Sequence, residues 1–382
     1  MRILHIVNTL NADRGGPSES VRMFVLAHQR IGTQVEVVTA DDPKSGYGKF
    51  VNCEVHACGP SISNYGYSSR LMRWLRANYA RFDGAIVNGL WQFHGVAARR
   101  ALSGKRPYVV FSHGMLDPYF MRRFPLKHIK KLAYWMLEER RNLSRAQAVC
   151  FTTEEEMRVA GIGFPFRKFR GVVVPYGSTG PSGDPEELKT AFQAQFPKFV
   201  NQKYLLFLGR IHPKKGCDLL LDAFSQVAPD ALHLVMAGPD DAGWRQELEM
   251  RATQLGISEK VHWAGMLQGD VKWGAYYCAE AFILPSHQEN FGIAVADALS
   301  CGVIPLISDK VNIASDIEKD EAGIVETDTL MGTRRLIERY LEMNQAARND
   351  MRRLAIKCYQ GRYALRNAAQ VVAQTLGLKV NR

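Results

Sequence analysis

The sequence lacks several features that would place it quickly in a class of protein. No apolar run in its 382 residues approaches the ~18 residues of a membrane-spanning helix. Its seven cysteines include no C-x-x-C pair, which favours reduced thiols in a cytoplasmic protein and argues against a zinc site. G-x-G-x-x-G is missing after the first apolar run, so a nicotinamide dinucleotide site is not indicated. No D-x-D pair is present to hold a divalent metal under a diphosphate.

Short apolar segments alternate with helix-length segments along the whole chain. The first of them, Ile3–Val7, has only five residues and includes a histidine, so we interpret it as a strand and not as a signal peptide. The alternation predicts an α/β fold of two Rossmann-like domains, with parallel sheets facing each other across a cleft. The predicted domains are residues 1–178 and 203–362, with a connection at 179–202 and a C-terminal helix at 363–382 that packs back on the first domain.

Positive charge is concentrated in the first half of the chain. Residues 1–178 hold 26 Lys/Arg against 13 Asp/Glu, a net charge of +13, whereas the remainder holds 23 against 25, a net charge of −2. This asymmetry predicts an anionic surface or partner for the first half. Charge alone would also allow a nucleic acid, but no motif supports nucleic-acid binding.

Two acids lie eight residues apart in the segment that follows the apolar run Ala281–Leu284. Glu289 falls in the predicted loop and Asp297 in the second turn of the predicted helix. Helical side chains lean toward the helix N-terminus, so Asp297 is expected to point back toward Glu289. The acids would accept bonds from hydroxyls, and the amides at the helix start would attract an anion. The alternative is a buried Asp and an ordinary first-turn Glu.

Other predicted loops at strand ends carry groups suited to phosphate. Arg210 and Lys215 flank a turn that leads into a helix, as a diphosphate site would require. The pair Gly15-Gly16 would let the backbone approach a ligand closely. His113 follows a strand in the first half, where a structural role is the alternative.

Together these segments resemble the retaining glycosyltransferases of family 4, which have the GT-B fold. The resemblance spans nearly the whole chain. It rests on Gly15-Gly16-Pro17, Ser112-His113-Gly114, Gly209-Arg210 with Lys215-Gly216, Gly265, and Glu289-x7-Asp297 through Gly302. The last block matches the family's E-x7-E signature, except that its second acid is the shorter Asp.

The resemblance implies a nucleoside-diphosphate sugar as co-substrate, bound mainly by the second domain, with no metal and no other cofactor. Glu289 would hold hydroxyls of the transferred sugar and Asp297 those of the ribose. The implied catalytic residues are His113, Arg210, Lys215 and Glu289. The implied donor-binding residues are Gly15, Gly16, Arg210, Lys215, Met266, Leu267, Glu289, Asn290, Phe291, Gly292, Ile293 and Asp297.

A basic amphipathic helix is predicted in the first, acceptor-binding half, from about Leu126 onward. Such a helix is suited to lie on anionic lipid, although an ordinary helix with a core-facing stripe has the same pattern. The predicted membrane and acceptor surface comprises Arg122, Arg123, Lys127, Lys130 and Lys131.

The sequence therefore predicts a retaining, metal-independent glycosyltransferase of cell-surface polysaccharide or glycoconjugate assembly. Its acceptor would be a saccharide, lipid-linked in the favoured hypothesis. Its place would be the cytoplasm, with peripheral attachment to the inner face of the plasma membrane. The alternatives are a soluble transferase acting on a small sugar phosphate or metabolite, and a non-catalytic sugar-nucleotide-binding protein.

Overall fold

The chain forms two α/β units. The computed structural model describes residues 1–11, 16–118, 125–240 and 243–379. Unit 1 comprises Met1–Gly177 and Leu365–Arg382, and unit 2 comprises Ser178–Ala364. Within the described residues, no helix combines the length and the apolarity needed to cross a bilayer.

Seven short strands form the sheet of unit 1. They are β1 (Arg2–Val7), β2 (Gln34–Thr39), β3 (Glu54–Ala57), β4 (Gly84–Asn88), β5 (Tyr108–Phe111), β6 (Ala148–Phe151) and β7 (Gly171–Val173). All pair in parallel, in the order β3-β2-β1-β4-β5-β6-β7. The central strands are buried along nearly their whole length, which explains their continuous apolar sequences.

Helices connect these strands. They are α1 (Gly16–Arg30), α2 (Ser69–Asn78), α3 (Phe93–Leu102), α4 (Pro125–Tyr134), α5 (Arg140–Ser144) and α6 (Glu154–Val159). A π-helical turn, Trp135–Glu139, joins α4 to α5.

Unit 2 repeats the plan with six parallel strands. They are β8 (Lys203–Leu208), β9 (Leu232–Ala237), β10 (Val261–Gly265), β11 (Ala281–Leu284), β12 (Pro305–Ser308) and β13 (Ile324–Glu326). Their order is β10-β9-β8-β11-β12-β13. The reversal between β8 and β11 is the topological switch point, where ligands of such sheets bind beyond the carboxyl ends of the strands.

The helices of unit 2 surround this sheet. They are α7 (Pro185–Gln195), α8 (Cys217–Val227), α9 (Arg245–Gln254), α10 (Gly269–Cys278), α11 (Ile293–Ser300), α12 (Ala314–Lys319), α13 (Leu330–Glu342) and α14 (Gln345–Cys358). Helix α7 lies within the segment that the sequence assigned to a connection. It begins at the N-cap Asp184 and packs closely on α10, where a Cβ at Gly274 would lie 2.1 Å from the Leu188 carbonyl oxygen.

The last helix, α15 (Leu365–Thr375), belongs to unit 1 and packs on α1. Leu365 and Ala369 contact Ala27 of α1, and Val372 joins the core beneath Phe24.

The predicted α/β fold of two parallel sheets is confirmed. Two strands, β3 and β13, were not predicted. Each lies at a sheet edge and is short, and β3 carries Glu54 and His56, so neither has the continuous apolar run of a central strand.

Several histidines of unit 1 are buried in neutral form. His5, His28 and His94 have no solvent exposure. Burial lowers the pKa of His28 and of His94 to about 4, and that of His5 well below its usual value. The pKa of His113 falls to about 3 for the same reason. Burial acts in the opposite sense on Glu139, whose pKa it raises to about 7.

Unit 1 should therefore lose stability as the pH falls. An unfolded histidine takes up its proton near pH 6.5, whereas the folded ones do so at lower pH, near 4 for His28 and His94, so this contribution to stability is complete above about pH 6.5 and declines below it. Each excess proton bound by the unfolded chain contributes about 1.4 kcal/mol per pH unit. Glu139 acts in the opposite sense, because the folded chain keeps its proton up to about pH 7. It therefore cancels the effect of about one of the four histidines. The urea concentration at the unfolding midpoint should decrease when the pH is lowered from 7 to 5. The decrease should be smaller in His28→Gln. A flat profile, or an unchanged slope in the variant, would contradict this account.

Candidate functional site

Two loops of unit 2 meet beyond the carboxyl ends of β8 and β11. Their backbones are joined at Lys214, whose carbonyl oxygen accepts hydrogen bonds from the Ser286 hydroxyl and the His287 N–H, each at 2.8 Å. Gly216 has a φ of 66°, and a Cβ there would lie 2.2 Å from the Pro285 carbonyl oxygen. Only glycine permits this approach, so the fold brings the two loops together at this point.

The approach places Lys215 against Glu289, and the ammonium and carboxylate form an ion pair. The side chains are only 15% and 19% exposed. Burial, and next the charge of Arg210, lower the pKa of Lys215 to about 8, whereas contact with Glu289 favours its charged form. Lys215 is thus charged at neutral pH, and the Lys215–Glu289 pair presents both a cation and a carboxylate to a ligand.

Backbone contacts hold Glu289 in position. Its N–H donates to the Lys310 carbonyl oxygen at 3.1 Å, and its carbonyl oxygen accepts from the Asn312 N–H at 3.0 Å. The side chain of Asn290 accepts from that of Asn312 at 3.3 Å. The loop is therefore braced on the segment that follows β12, and its acid has little freedom to move.

Two helices begin at this site. Gly216 precedes α8 and Gly292 precedes α11, each with a left-handed backbone conformation. The first N–H groups of a helix have no partner within it and carry partial positive charge, which favours an anion. Phe291 does not present its side chain there, because its ring is buried edge-on against Tyr363.

Asp297 is buried, and both of its carboxylate oxygens have partners. The Ser178 hydroxyl donates to Oδ1, and the Lys272 ammonium lies 3.1 Å from Oδ2. Lys272 also lies 3.9 Å from the centroid of the Trp273 ring. A carboxylate has about four acceptor positions, so these contacts leave capacity for a ligand hydroxyl.

The remaining predicted residues of unit 2 lie at neighbouring strand ends. Arg210 is exposed after β8, close enough for its charge to act on Lys215. Met266 is 63% exposed after β10, while Leu267 is buried. The ends of β9 and β10 are joined by a hydrogen bond from the Gly238 N–H to the Gly265 carbonyl oxygen, at 2.7 Å.

In unit 1, His113 follows β5 with a φ of 49°. Its Nδ1 is hydrogen-bonded to the Tyr176 hydroxyl, and its ring stacks on Phe111. With a pKa near 3, the ring is neutral at neutral pH. Gly16 begins α1, whereas the predicted residues Gly15, Arg122 and Arg123 lie outside the described residues.

Three residues with contacts at these positions, Glu156, Lys272 and Ser178, were not predicted from the sequence. Glu156 braces the turn around His113: its Oε1 accepts from the Ser112 hydroxyl and, at 2.7 Å, from the Gly114 N–H. The capping box Thr153-x-x-Glu156 could have indicated it, since Thr153 caps α6. Lys272 and Ser178 have no such local pattern.

Among the described residues, one group of side chains is close enough together to be considered as a metal site. The ligand atoms of Glu36, Glu54 and His56 lie within 4.8 Å of one another. Glu36 already pairs with Arg81 at 2.9 Å and with His56 at 2.7 Å, so its charge is compensated without an ion. We interpret the cluster as an ion-pair network at the sheet edge.

Known families match both units. Residues 15–177 match the family described as "Glycosyl transferase 4-like domain", and residues 189–357 match "Glycosyl transferases group 1".

Individual relatives match over different lengths. The GDP-mannose:cellobiosyl-diphosphopolyprenol alpha-mannosyltransferase of Xanthomonas campestris is 26% identical over 96% of this chain and 94% of that protein. A D-inositol 3-phosphate glycosyltransferase of Mycolicibacterium smegmatis is 33% identical over 30% of this chain and 26% of its own length. Like the latter, several relatives with local similarity are matched over only 25% to 39% of their length.

Solved structures share the fold. Anabaena HepE, in a crystal structure with UDP-glucose, superposes with a TM-score of 0.74 at 17% identity, over 99% of both chains. One assignment follows from the two parallel α/β units, from the Gly216 and Glu289 loops, and from the matches to glycosyltransferase families over both units. The chain belongs to the family 4 glycosyltransferases and has the GT-B fold.

Proposed function

We propose that the chain transfers a sugar, with retention of anomeric configuration, from a nucleoside-diphosphate sugar to a saccharide acceptor. The observation that carries this proposal is the Lys215–Glu289 ion pair between the starts of α8 and α11. A ligand that combines a diphosphate with sugar hydroxyls uses the cation, the helix starts and the carboxylate together. The complex of HepE with UDP-glucose supports the proposal by analogy of fold.

Each residue of the site has a proposed part in donor binding. Arg210 and Lys215 bind the diphosphate, and Glu289 accepts hydrogen bonds from the transferred sugar. The amides of Phe291, Gly292 and Ile293 lie against sugar and phosphate. Asp297 takes a ribose hydroxyl at an acceptor position that Ser178 and Lys272 leave open, and the base lies near Met266 and Leu267.

In the proposed reaction, the bond between the anomeric carbon and the diphosphate oxygen breaks. An acceptor hydroxyl attacks from the same face and forms the new glycosidic bond. Its proton passes to the departing diphosphate, whose added charge is stabilised by Arg210, Lys215 and the helix starts. These groups supply positive charge without a metal ion. His113 of unit 1, neutral and held by Tyr176, is a proposed hydrogen-bonding group.

We further propose that the acceptor is a lipid-linked saccharide reached at an anionic, cytoplasmic membrane face. Helix α4 exposes Leu126 (78%), Ile129 (62%) and the two lysines Lys127 and Lys130. Leu137 and Phe166, 64% and 69% exposed, add apolar surface on neighbouring segments. We call Leu126, Lys127, Ile129 and Lys130 the basic face. The diphosphopolyprenol acceptor in the name of the Xanthomonas relative supports this proposal.

A small sugar phosphate is the alternative acceptor. It is favoured by the matches to D-inositol 3-phosphate glycosyltransferases, which cover only a minority of either chain. The exposed basic face has no role in that alternative.

Removal of either diphosphate-binding cation should slow transfer. Lys215→Ala and Arg210→Ala should each lower kcat/KM by about 10²–10³-fold, the usual cost of losing one preorganised charge stabiliser. Steady-state kinetics with the productive donor measures this. Lys214→Ala is the neighbouring-lysine control, because it removes one hydrogen bond from the Lys214 ammonium to Gln288 Oε1 at 3.3 Å and leaves the backbone carbonyl bonds that hold the loops. Near-normal turnover by a folded Lys215→Ala enzyme would refute the assignment.

Charge removal on the basic face should weaken membrane binding. Each lysine near an anionic surface contributes about 1 kcal/mol, so Lys127→Gln with Lys130→Gln should weaken vesicle binding by about 30-fold. The measurement is co-sedimentation with phosphatidylglycerol-containing vesicles.

Two controls accompany that measurement. Lys203→Gln with Lys319→Gln removes the same charge from exposed positions of unit 2 and should leave vesicle binding unchanged. Lys131→Gln should also have little effect, because Lys131 is half-buried beside the Trp91 ring. Equal loss in all three variants would show a general charge effect and count against the basic face.

A further inference from the structure

Lys272 lies between two parts of the proposed donor site in unit 2. It belongs to the first turn of α10, which begins two residues after Leu267, where the base is proposed to lie. Its ammonium lies 3.1 Å from Oδ2 of Asp297 on α11, the helix that begins at the proposed diphosphate site. In a nucleotide, the ribose joins the base to the phosphates. Lys272 therefore lies where the ribose of a bound donor is expected.

Two contacts fix the position of the Lys272 ammonium. One is the ion pair with Asp297, and the other is a cation–π contact with the ring of Trp273, whose centroid lies 3.9 Å away. An ammonium has three N–H donors. The carboxylate and the ring face take two of them, so one donor is left for a ligand. The Lys272 side chain is 24% exposed, which gives a ligand access to it.

The carboxylate of Asp297 is held from its other side. Its Oδ1 accepts from the Ser178 hydroxyl, whose oxygen in turn accepts from the Gly180 N–H at 3.0 Å. The Asp297 side chain is only 7% exposed, so its orientation is set by Ser178 and by Lys272. The Lys272–Asp297 pair thus presents one N–H donor beside the acceptor positions that remain on the carboxylate.

This combination of groups suits the two adjacent hydroxyls of a ribose. A hydroxyl both donates and accepts a hydrogen bond, so the diol can donate to Asp297 and accept from Lys272 at the same time. A phosphate group at neutral pH offers acceptors without such donors, and the carboxylate repels its charge. The Lys272–Asp297 pair therefore matches a diol better than a phosphate.

A structural tie between α10 and α11 is the simpler explanation of this ion pair. The cost of removing two charges from water offsets most of their attraction, so a buried pair adds little net stability compared with apolar side chains. Packing alone therefore gives little reason for a lysine and an aspartate at these two positions, whereas a diol ligand uses both.

We propose that Lys272 is a nucleotide-binding residue, which recognises the ribose diol of the donor together with Asp297 and selects donors that carry both hydroxyls. This inference rests on the proposed function, whose donor site it extends by a residue on α10. The ion pair orders the carboxylate before a nucleotide arrives, and the remaining N–H of Lys272 adds a second contact to the diol.

Calorimetry on the full chain tests the proposal with UDP and GDP and with their dideoxy forms, which lack both ribose hydroxyls. Wild type should bind the ribonucleotide at least about ten-fold more tightly than its dideoxy form, since hydrogen bonds to charged groups are lost with the diol. Lys272→Met keeps the apolar stem beside Trp273 and removes the ammonium. It should weaken ribonucleotide binding by about ten-fold and change dideoxy binding by less than about three-fold.

Lys260→Met is the matched control. Lys260 is 26% exposed, pairs with Asp230 at 2.7 Å and lies at the amino end of β10, whereas the site lies beyond the carboxyl ends of the strands. The affinities for both ligand forms should be unchanged in this variant.

Lys272→Gln is a second test variant. It keeps a hydrogen-bond donor for the buried carboxylate, so it should fold even if Lys272→Met does not. Its shorter, uncharged side chain should weaken ribonucleotide binding by at least about three-fold and leave dideoxy binding unchanged.

Equal loss of both ligand forms in Lys272→Met would indicate a phosphate contact, and wild-type binding by both Lys272 variants would indicate a structural tie. Either result would overturn the proposal, as would equal binding of the two ligand forms by wild type. In each of these cases the nucleotide still binds to wild type, which leaves the proposed function in place. A wild-type chain that binds neither UDP nor GDP would instead contradict the donor site itself, and this inference with it.

Discussion

The close approach of Gly216 to Pro285 is the constraint on which the proposed donor site depends. With a Cβ 2.2 Å from the Pro285 carbonyl oxygen, any other residue would separate the two loops. Separation would also break the bonds from Ser286 and His287 to the Lys214 carbonyl oxygen. Lys215 could then no longer meet Glu289. In the proposed reaction the glycine would act indirectly, because it places a cation and a carboxylate from different loops within contact.

The electrostatics of the site follow from this placement. Removing a lysine and a glutamate from water is costly, and each partner offsets that cost for the other. The pair is therefore already ordered before a donor arrives, as electrostatic preorganisation requires. Asp297 is more deeply buried and is held by Lys272 and Ser178. Its environment is that of a fixed positioning group, whereas Glu289 remains partly open to solvent.

Local sequence patterns predicted the central strands and the loops of the site. They did not predict the contacts between residues that are far apart in the sequence. Apolar runs bounded by Gly and Pro identified the central strands, and the segment Glu289–Asp297 was correctly placed on a loop and a helix. The contact of Asp297 with Ser178 spans 119 positions, and no periodicity encodes such a pair. The half-buried position of Lys131 beside the Trp91 ring could not be predicted from the sequence either, because the two residues lie on different segments. Edge strands β3 and β13 escaped prediction because they are short and only partly apolar.

The central claim is that Glu289 acts on the transferred sugar and Asp297 on the nucleotide. The most direct measurement is a donor titration of Glu289→Gln and Asp297→Asn in EDTA, with the Kd for UDP and GDP measured by calorimetry. A hydrogen bond to a charged group contributes about 1.5–3 kcal/mol. Glu289→Gln should mainly lower kcat and leave nucleotide affinity nearly intact, because sugar contacts change as the glycosidic bond breaks. Asp297→Asn should mainly raise the donor KM and the nucleotide Kd. Loss of nucleotide binding in Glu289→Gln alone, or wild-type behaviour of both variants, would contradict the account.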